Sequence, residues 1–262
     1  YSMKSNSNHI HIIGICGVAT SALAIAFKEK GWKVTGSDKG FFPPVSTELE
    51  KHKIDFYAGW HPKKMGNPDI IMIGGSGKSS QNPEMQYAEK NKIPIFSYPE
   101  IIEKYFLKEN SIVCAGTWGK TTTSALLSFI LEEAGLDPTY MFGGISLSHK
   151  QSARLTDSKY NILEGDEYTG SQTDNIAKFF HYHPTHLLLT SVSWDHADVY
   201  PTEKSYFDTF KKLIKSIPET GLIIANEKLK EMGKNGIYYG KENADYIYSD
   251  IIQTKDGLDF KI

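Results

Sequence analysis

Gly116-Thr117-Trp118-Gly119-Lys120-Thr121-Thr122 is the stretch of this 262-residue chain whose residue types and spacing can do chemistry. Two glycines let backbone N–H groups turn toward phosphate oxygens, a lysine neutralises the outer phosphates, and a threonine hydroxyl can ligate magnesium. Gly116, Thr117, Gly119, Lys120, Thr121 and Thr122 are therefore expected to bind a nucleoside triphosphate, with Lys120 against its outer phosphates. The common phosphate-loop pattern would put a glycine where Cys114 stands, and the chain keeps only the shorter form that starts at Gly116. An apolar run over 112–115 leads in, and a helical pattern over 121–134 (Ala125, Leu126, Phe129, Ile130, then Gly135) leads out, as a nucleoside triphosphate cradle requires.

Two further clusters follow apolar strands: Glu164-Gly-Asp-Glu167-Tyr168, and Ser193-Trp-Asp195-His196-Ala-Asp198. Parallel strands deliver their C-terminal ends to one crevice, so Glu164 and His196 are expected to meet the phosphates and, with Thr121, to hold Mg2+. His181, His183 and His186 have the composition of a transition-metal site. They lead into a strand, where alternate residues point to opposite faces, and no cysteine lies nearby, so the expectation is a structural role.

The elements that must position these groups read as α/β throughout. From His9 to Phe106, strands at 10–15, 32–36, 70–73 and 93–96 alternate with helical stretches such as 19–30, the pattern of a doubly wound parallel sheet. Gly14-Ile-Cys16-Gly17 follows the first strand and Asp38 ends the second, the place where such folds put an acid on a ribose. Ala19, Ser21 and Ala22 fill the later glycine positions of the dinucleotide fingerprint, so a nucleotide diphosphate other than NAD is expected on Gly14, Cys16, Gly17 and Asp38. The polar segment 104–110 marks a boundary, giving domains 1–107 and 108–262. The second restarts with its own strand and continues with strands at 161–163, 187–192 and 221–225. The last segment, 257–262, reads as a strand cut off at the chain end.

With 40% hydrophobic and 23% charged residues, the composition is that of a globular protein long enough for two cores. A net charge of -2 argues against a nucleic-acid partner, and no apolar run or leader argues for a membrane or for export, so a cytoplasmic enzyme is expected. Cys16 and Cys114 are the two cysteines, and both are expected to be buried free thiols. Tyr1 and Ser2 precede Met3, and 4–8 carry no pattern and no assigned function.

Taken together, the ordered motifs Gly116-Thr-x-Gly-Lys-Thr-Thr122, Glu164-x-Asp-Glu167 and Asp195-His196-x-Asp198 resemble the Mur ligase family. His11-Ile-Ile-Gly14-Ile-Cys-Gly17, Gly36-Ser37-Asp38 and Asn82-Pro-Glu84 are similar to its branch that accepts UDP-N-acetylmuramate, which adds Ser37 and Asn82 to the expected sugar-nucleotide residues. Pro43-Pro-Val-Ser-Thr47, Glu164-Gly-Asp-Glu-Tyr168 and Phe180-His-Tyr-His-Pro184 look most like the ligases that take L-alanyl-gamma-D-glutamyl-meso-diaminopimelate, with the L-alanine-adding ligases as siblings. The resemblance covers nearly all of 10–226. It implies an N-terminal Rossmann-like sheet, a P-loop ATPase domain that is incomplete here, and a C-terminal domain that is absent. It also implies transfer of the ATP γ-phosphoryl group to a carboxylate, with Lys120 and magnesium offsetting the transferred charge, Thr121 and Glu164 holding one Mg2+ and catalytic His196 helping to hold a second, then attack by an amine. This stretch alone is accordingly expected to bind nucleotides without efficient ligation.

Three departures from the family pattern stand out: Trp118 in the phosphate loop, Thr169-Gly-Ser-Gln172 after the acidic motif, and the missing C-terminal part. Lys211 lies fifteen residues beyond His196, where other members carry a carbamylated lysine, but Lys211-Lys212 sits in a helical run and an ordinary solvated lysine is expected. Competing readings are a P-loop kinase or GTPase, a non-catalytic UDP-sugar sensor and an NAD oxidoreductase. The first leaves the N-terminal hundred residues without a role, and no Asn-Lys-x-Asp guanine-reading motif is present. The amino acceptor and the oligomeric state are not legible.

Overall fold

The computed structural model describes residues 8–75, 81–144, 151–171, 174–233, 236–255 and 257–262; residues 1–7 and Gln172 lie outside this range. Its contacts divide the chain into two compact units, 1–107 with 131–159, and 108–130 with 160–262.

In the first unit, β1 (His9–Ile13), α1 (Val18–Glu29), β2 (Lys33–Asp38), α2 (Val45–Lys51), β3 (Asp55–Ala58), β4 (Ile70–Ile73), α3 (Pro83–Lys90) and β5 (Ile95–Ser97) build one sheet in the order β3-β2-β1-β4-β5. All four pairings are parallel. The order reverses at β1, so the loops after β1 and β4 diverge and leave a crevice at the strands' carboxyl ends. Central β1 and β4 are buried along their whole length, as strands covered on both sides must be; β4 is apolar on both faces, whereas β1 carries the buried His9 and His11 on one of its faces. The helix that opens with α4 (Tyr98–Ile101) continues as a π-turn over Ile102–Phe106. Tyr105 and Phe106 meet Phe27 of α1 edge-on at 5.4 and 6.2 Å between ring centres, which fastens the last helix to the first.

The second unit starts with β6 (Asn110–Ala115) and α5 (Lys120–Glu133), whose C-terminal turn counts with the first unit, as do the antiparallel strands β7 (Thr139–Met141) and β8 (Ala153–Arg154). It continues with β9 (Tyr160–Gly165), an antiparallel pair β10 (Thr169–Ser171) and β11 (Asp174–Ala177), then β12 (His186–Leu189), α6 (Glu203–Ser216), β13 (Ile223–Asn226), β14 (Ile237–Gly240) and β15 (Tyr246–Ile247). Parallel pairing places these in the order β15-β14-β13-β12-β6-β9. β6 therefore sits between β9 and β12, which sets the phosphate loop beside the two acidic segments. α6 is stopped at its start by a capping box, Thr202 with Ser205, and buries Tyr206, Phe210, Leu213 and Ile214. β16 (Ser249–Gln253) and β17 (Leu258–Lys261) form an exposed antiparallel hairpin at the chain end.

The expected helix over 121–134 runs one residue earlier. The strand expected over 187–192 stops at Leu189, because the chain then turns to meet the phosphate loop. Cys114 is buried as expected, but Cys16 is only half-buried, since it lies between the buried Ile15 and the exposed Gly17 in the turn from β1 to α1. Burial pushes the Cys114 thiol up to about 12, and burial with the nearby Asp38 charge pushes Cys16 up to about 11. Neither is a thiolate at neutral pH. Lys211 stands exposed on α6, the solvated position expected of it.

Candidate functional site

Residues 116–119 turn the chain from β6 into α5; the turn has no room for a side chain at Gly116 and a left-handed backbone at Gly119. Gly116 has φ +133°, and a Cβ there would come within 2.3 Å of Thr190 Oγ1 and 2.7 Å of the Ser191 carbonyl. Gly119 has φ +86°. Gly116→Ala is expected to cost about 3 kcal/mol, from left-handed strain plus overpacking, read as a lower urea midpoint with an unchanged slope.

The loop after β12 grips this turn from the side. Thr117 N donates to the Ser191 carbonyl (2.9 Å) and Trp118 N to Ser191 Oγ (3.1 Å). Thr190 Oγ1 donates to the Trp118 carbonyl at 2.5 Å. The buried Thr117 hydroxyl donates to the Ser193 carbonyl and accepts from Ser193 N, both at 2.9 Å, and lies 3.0 Å from Tyr206 Oη. Thr117 thus ties the loops together. The N–H groups of the first turn of α5, Lys120 to Thr122, have no partner within the helix and lie at its positive end, where phosphate oxygens bind well. Thr122 is exposed, and so is the Trp118 indole at 64%.

Lys120 does not extend into solvent. Its Nζ donates to both oxygens of the fully buried Glu167 (2.8 and 3.1 Å) and lies 3.4 Å from the Thr117 carbonyl. Thr121 Oγ1 donates to Glu164 Oε1 at 2.8 Å. His196, in a left-handed backbone conformation (φ +56°), places Nε2 3.3 Å from Glu167 Oε1 and meets the Tyr168 ring edge-on at 4.8 Å. Tyr206 Oη donates to Glu167 Oε1 at 3.2 Å. The structure therefore brings Lys120, Thr121, Glu164 and His196 to one end of the sheet, with His196 facing Glu167. A hydroxyl and a carboxylate oxygen side by side suit Mg2+, which prefers oxygen donors and retains water and phosphate oxygens in its shell. Among the described residues, no three or more His, Cys, Asp or Glu close on one point as a protein-only metal cage would. His186 Nδ1 is instead 2.9 Å from Thr185 Oγ1.

In the first unit, the turn after β1 is braced by β2. Gly14 N and Ile15 N donate to the Ser37 carbonyl (2.8 and 3.1 Å), and Cys16 N donates to Asp38 Oδ2 (2.8 Å). Gly17 leads α1 with no side-chain cap, so the helix start can take a diphosphate. The Ser37 hydroxyl and Asn82 face inward: Ser37 Oγ donates to Glu84 Oε2 (2.5 Å), and Asn82 Oδ1 accepts from Glu84 N (2.9 Å) to cap α3. Glu84, wholly buried, also accepts from Tyr57 Oη (2.6 Å) and His61 N (2.8 Å), and lies 3.4 Å from His11 Nε2. Burial alone would push its carboxyl up, but the hydrogen bonds from His11, Ser37 and Tyr57 outweigh it and hold the group below the ordinary glutamate value.

Residues 9–108 match the family profile described as "Mur ligase family, catalytic domain", and 114–262 match "Mur ligase middle domain". The chain belongs to the Mur ligase family. It is 36% identical over 220 residues, 83% of this chain and 48% of the relative, to the UDP-N-acetylmuramate--L-alanyl-gamma-D-glutamyl-meso-2,6-diaminoheptandioate ligase of Haemophilus influenzae. It is 32% identical over 266 residues, 98% of this chain and 55% of the relative, to the UDP-N-acetylmuramate--L-alanine ligase of Dictyoglomus turgidum. Among solved structures it is similar to the UDP-N-acetylmuramate:L-alanyl-gamma-D-glutamyl-meso-diaminopimelate ligase from Neisseria meningitides. That comparison gives a TM-score of 0.79 at 30% identity, covering 97% of this chain and 84% of that one. The chain spans about half the length of the first two curated relatives it matches. No helix among the described residues is long and apolar enough to cross a membrane.

Mur ligases are ATP-dependent, and the motifs expected to serve that chemistry converge in the second unit. Sequence reading missed the part played by two residues of the second unit and one of the first. Glu167 was visible in its motif, yet nothing in the spacing said that it, rather than Glu164, would face Lys120. Glu84 was likewise visible in Asn82-Pro-Glu84, but its partner His11 lies 73 residues away and Tyr206 lies 89 from Thr117, separations with no local signal.

Proposed function

We propose that this chain is the nucleotide- and sugar-binding part of an ATP-dependent amide ligase. It would join UDP-N-acetylmuramate to L-alanyl-gamma-D-glutamyl-meso-diaminopimelate, the reaction of a murein peptide ligase in peptidoglycan recycling. The observation that carries the proposal is the phosphate loop flanked by Lys120–Glu167 and Thr121–Glu164 at the carboxyl end of a parallel sheet. The names of its relatives support the sugar nucleotide, and the Haemophilus relative supports the tripeptide.

In this reading 1–107 holds UDP-N-acetylmuramate, with the turn Gly14–Gly17 at the diphosphate and Asp38 bracing that turn. Residues 108–262 hold ATP. The α5 start and Lys120 orient the triphosphate, so that the sugar's lactyl carboxylate takes the γ-phosphoryl group and ADP leaves with the electron pair of the broken P–O bond. The resulting acyl phosphate is attacked by the peptide amine, phosphate departs, and the amine proton passes to solvent. Thr121 and Glu164 would hold Mg2+, with His196 close by, and the ion would offset charge on the phosphates.

The deciding measurement is phosphate release by the complete protein with ATP, Mg2+ and UDP-N-acetylmuramate, comparing the tripeptide with L-alanine. Release with the tripeptide is the expected result. Release with L-alanine alone would reassign the chain to the sibling activity, and silence with both would overturn the substrate reading.

A further inference from the structure

The Lys120 ammonium has three N–H groups, and the structure offers it three acceptors before any phosphate arrives: both Glu167 oxygens and the Thr117 carbonyl. Lys120 is 15% exposed and Glu167 wholly buried, so the pair is screened far less than a surface ion pair. The same carboxylate takes Tyr206 Oη and faces His196 Nε2, while the Glu167 carbonyl accepts from Tyr200 Oη at 2.5 Å. Tyr206 in turn reaches Thr117, which is bonded to Ser193 on both its N–H and its carbonyl. Glu167 therefore lies at the joint of four segments: the phosphate loop, the stretch after β9, the loop that carries His196, and α6.

We propose that Glu167 is a positioning residue that acts as a charge latch. Its carboxylate holds Lys120 and His196 in place over the cradle and must share Lys120 with the incoming triphosphate. The inference rests on the ATP-binding reading above. A triphosphate entering this cradle meets a lysine that is already neutralised and a buried negative charge directly behind it. Binding of bare triphosphate is opposed by that charge, while the groups it orients are kept ready for phosphoryl transfer. The two effects run in opposite directions, which separates a latch from a residue that merely supports the fold. A fold-supporting residue, once removed, would weaken binding and turnover together.

The experiment compares wild-type protein with Glu167→Gln and Glu167→Asp. It records the dissociation constant for ATP in excess EDTA, the turnover number with Mg2+ and both substrates, and the melting temperature of each. Expected for Glu167→Gln is about tenfold tighter metal-free ATP binding, the size of one like charge removed a few ångströms from the phosphates. A fall in turnover of at least about tenfold should accompany it, because Lys120 and His196 lose their anchor. Glu167→Asp keeps the charge and should stay within about twofold of wild type in metal-free ATP affinity, which keeps the test decisive if Glu167→Gln folds poorly. Weaker ATP binding by a Glu167→Gln protein that melts like wild type would overturn the latch. So would unchanged affinity, or tightening by Glu167→Asp equal to that by Glu167→Gln. Wild-type protein that binds no ATP at all would overturn the nucleotide reading itself, a separate outcome.

Discussion

Replacing Lys120 with alanine is expected to lower ATP-dependent turnover at least about 10²-fold, the scale seen when one preorganised charge-stabilising donor is removed. The side chain is placed by α5, whose first residue it is, and by Glu167, so in the resting site it is already within reach of whatever occupies the cradle. Truncation removes the positive charge that offsets the transferred phosphoryl group, and among the described residues it leaves the buried Glu167 carboxylate with Tyr206 and His196 facing it. The variant should therefore also lose stability, by roughly 2–4 kcal/mol for an uncompensated buried charge. Phosphate release under saturating substrates, measured well below the variant's own melting temperature, separates the two effects. Turnover within a few-fold of wild type under those conditions would remove Lys120 from the catalytic machinery.

Glu84→Gln should produce the largest change confined to the first unit. The carboxylate takes a hydrogen bond from each of Ser37, Tyr57 and His61 and faces His11, and so ties β1, β2, the β3 edge and α3 to one point. The amide keeps one acceptor but turns two N–H groups toward existing donors, a loss of about 3 kcal/mol and roughly 10 °C in melting temperature for a unit of this size. The pH dependence has a definite sign. Because the folded-state pKa lies below that of an unfolded glutamate, the charged group's contribution is fully present above about pH 4.3 and is lost as pH falls through the folded value. The gap between wild type and variant should accordingly be widest near neutral pH and narrow below about pH 4. A gap that stays constant from pH 7 to pH 3 in urea titrations would mean that the charge contributes nothing.

Much of the architecture was legible because it is written in local patterns. Short runs such as Ile10-His-Ile-Ile13 and Ile70-Ile-Met-Ile73, rich in β-branched isoleucine and too short for a helix, read as strands buried on both faces. The spacing of Ala125, Leu126, Phe129 and Ile130 gave α5 to within one residue. β3 escaped notice because Asp55-Phe-Tyr-Ala58 is an edge strand, half-exposed and without apolar alternation strong enough to declare itself. Strand ends were set by what the following loop meets, as at Leu189, where the chain leaves the sheet to hold the phosphate loop.

The sequence by itself determined the class of chemistry. Glycines at 116 and 119, Lys120 and Thr121 lie close together in the chain, and the two glycines supply the positive φ that the turn needs. It also determined that two acidic segments would follow, since each sits directly after an apolar strand. Tertiary structure alone decided which acid meets which partner. The placement of β6 between β9 and β12 brings Glu167 to Lys120 and Glu164 to Thr121, pairs 47 and 43 residues apart. Likewise Ser37 and Asn82, which look like ligand residues in the chain, are turned inward to Glu84 by the packing of α3. Motif spacing constrains residues on one element. The partner across a sheet is chosen by strand order and by the need to pair every buried charge, and neither is encoded in neighbouring residues.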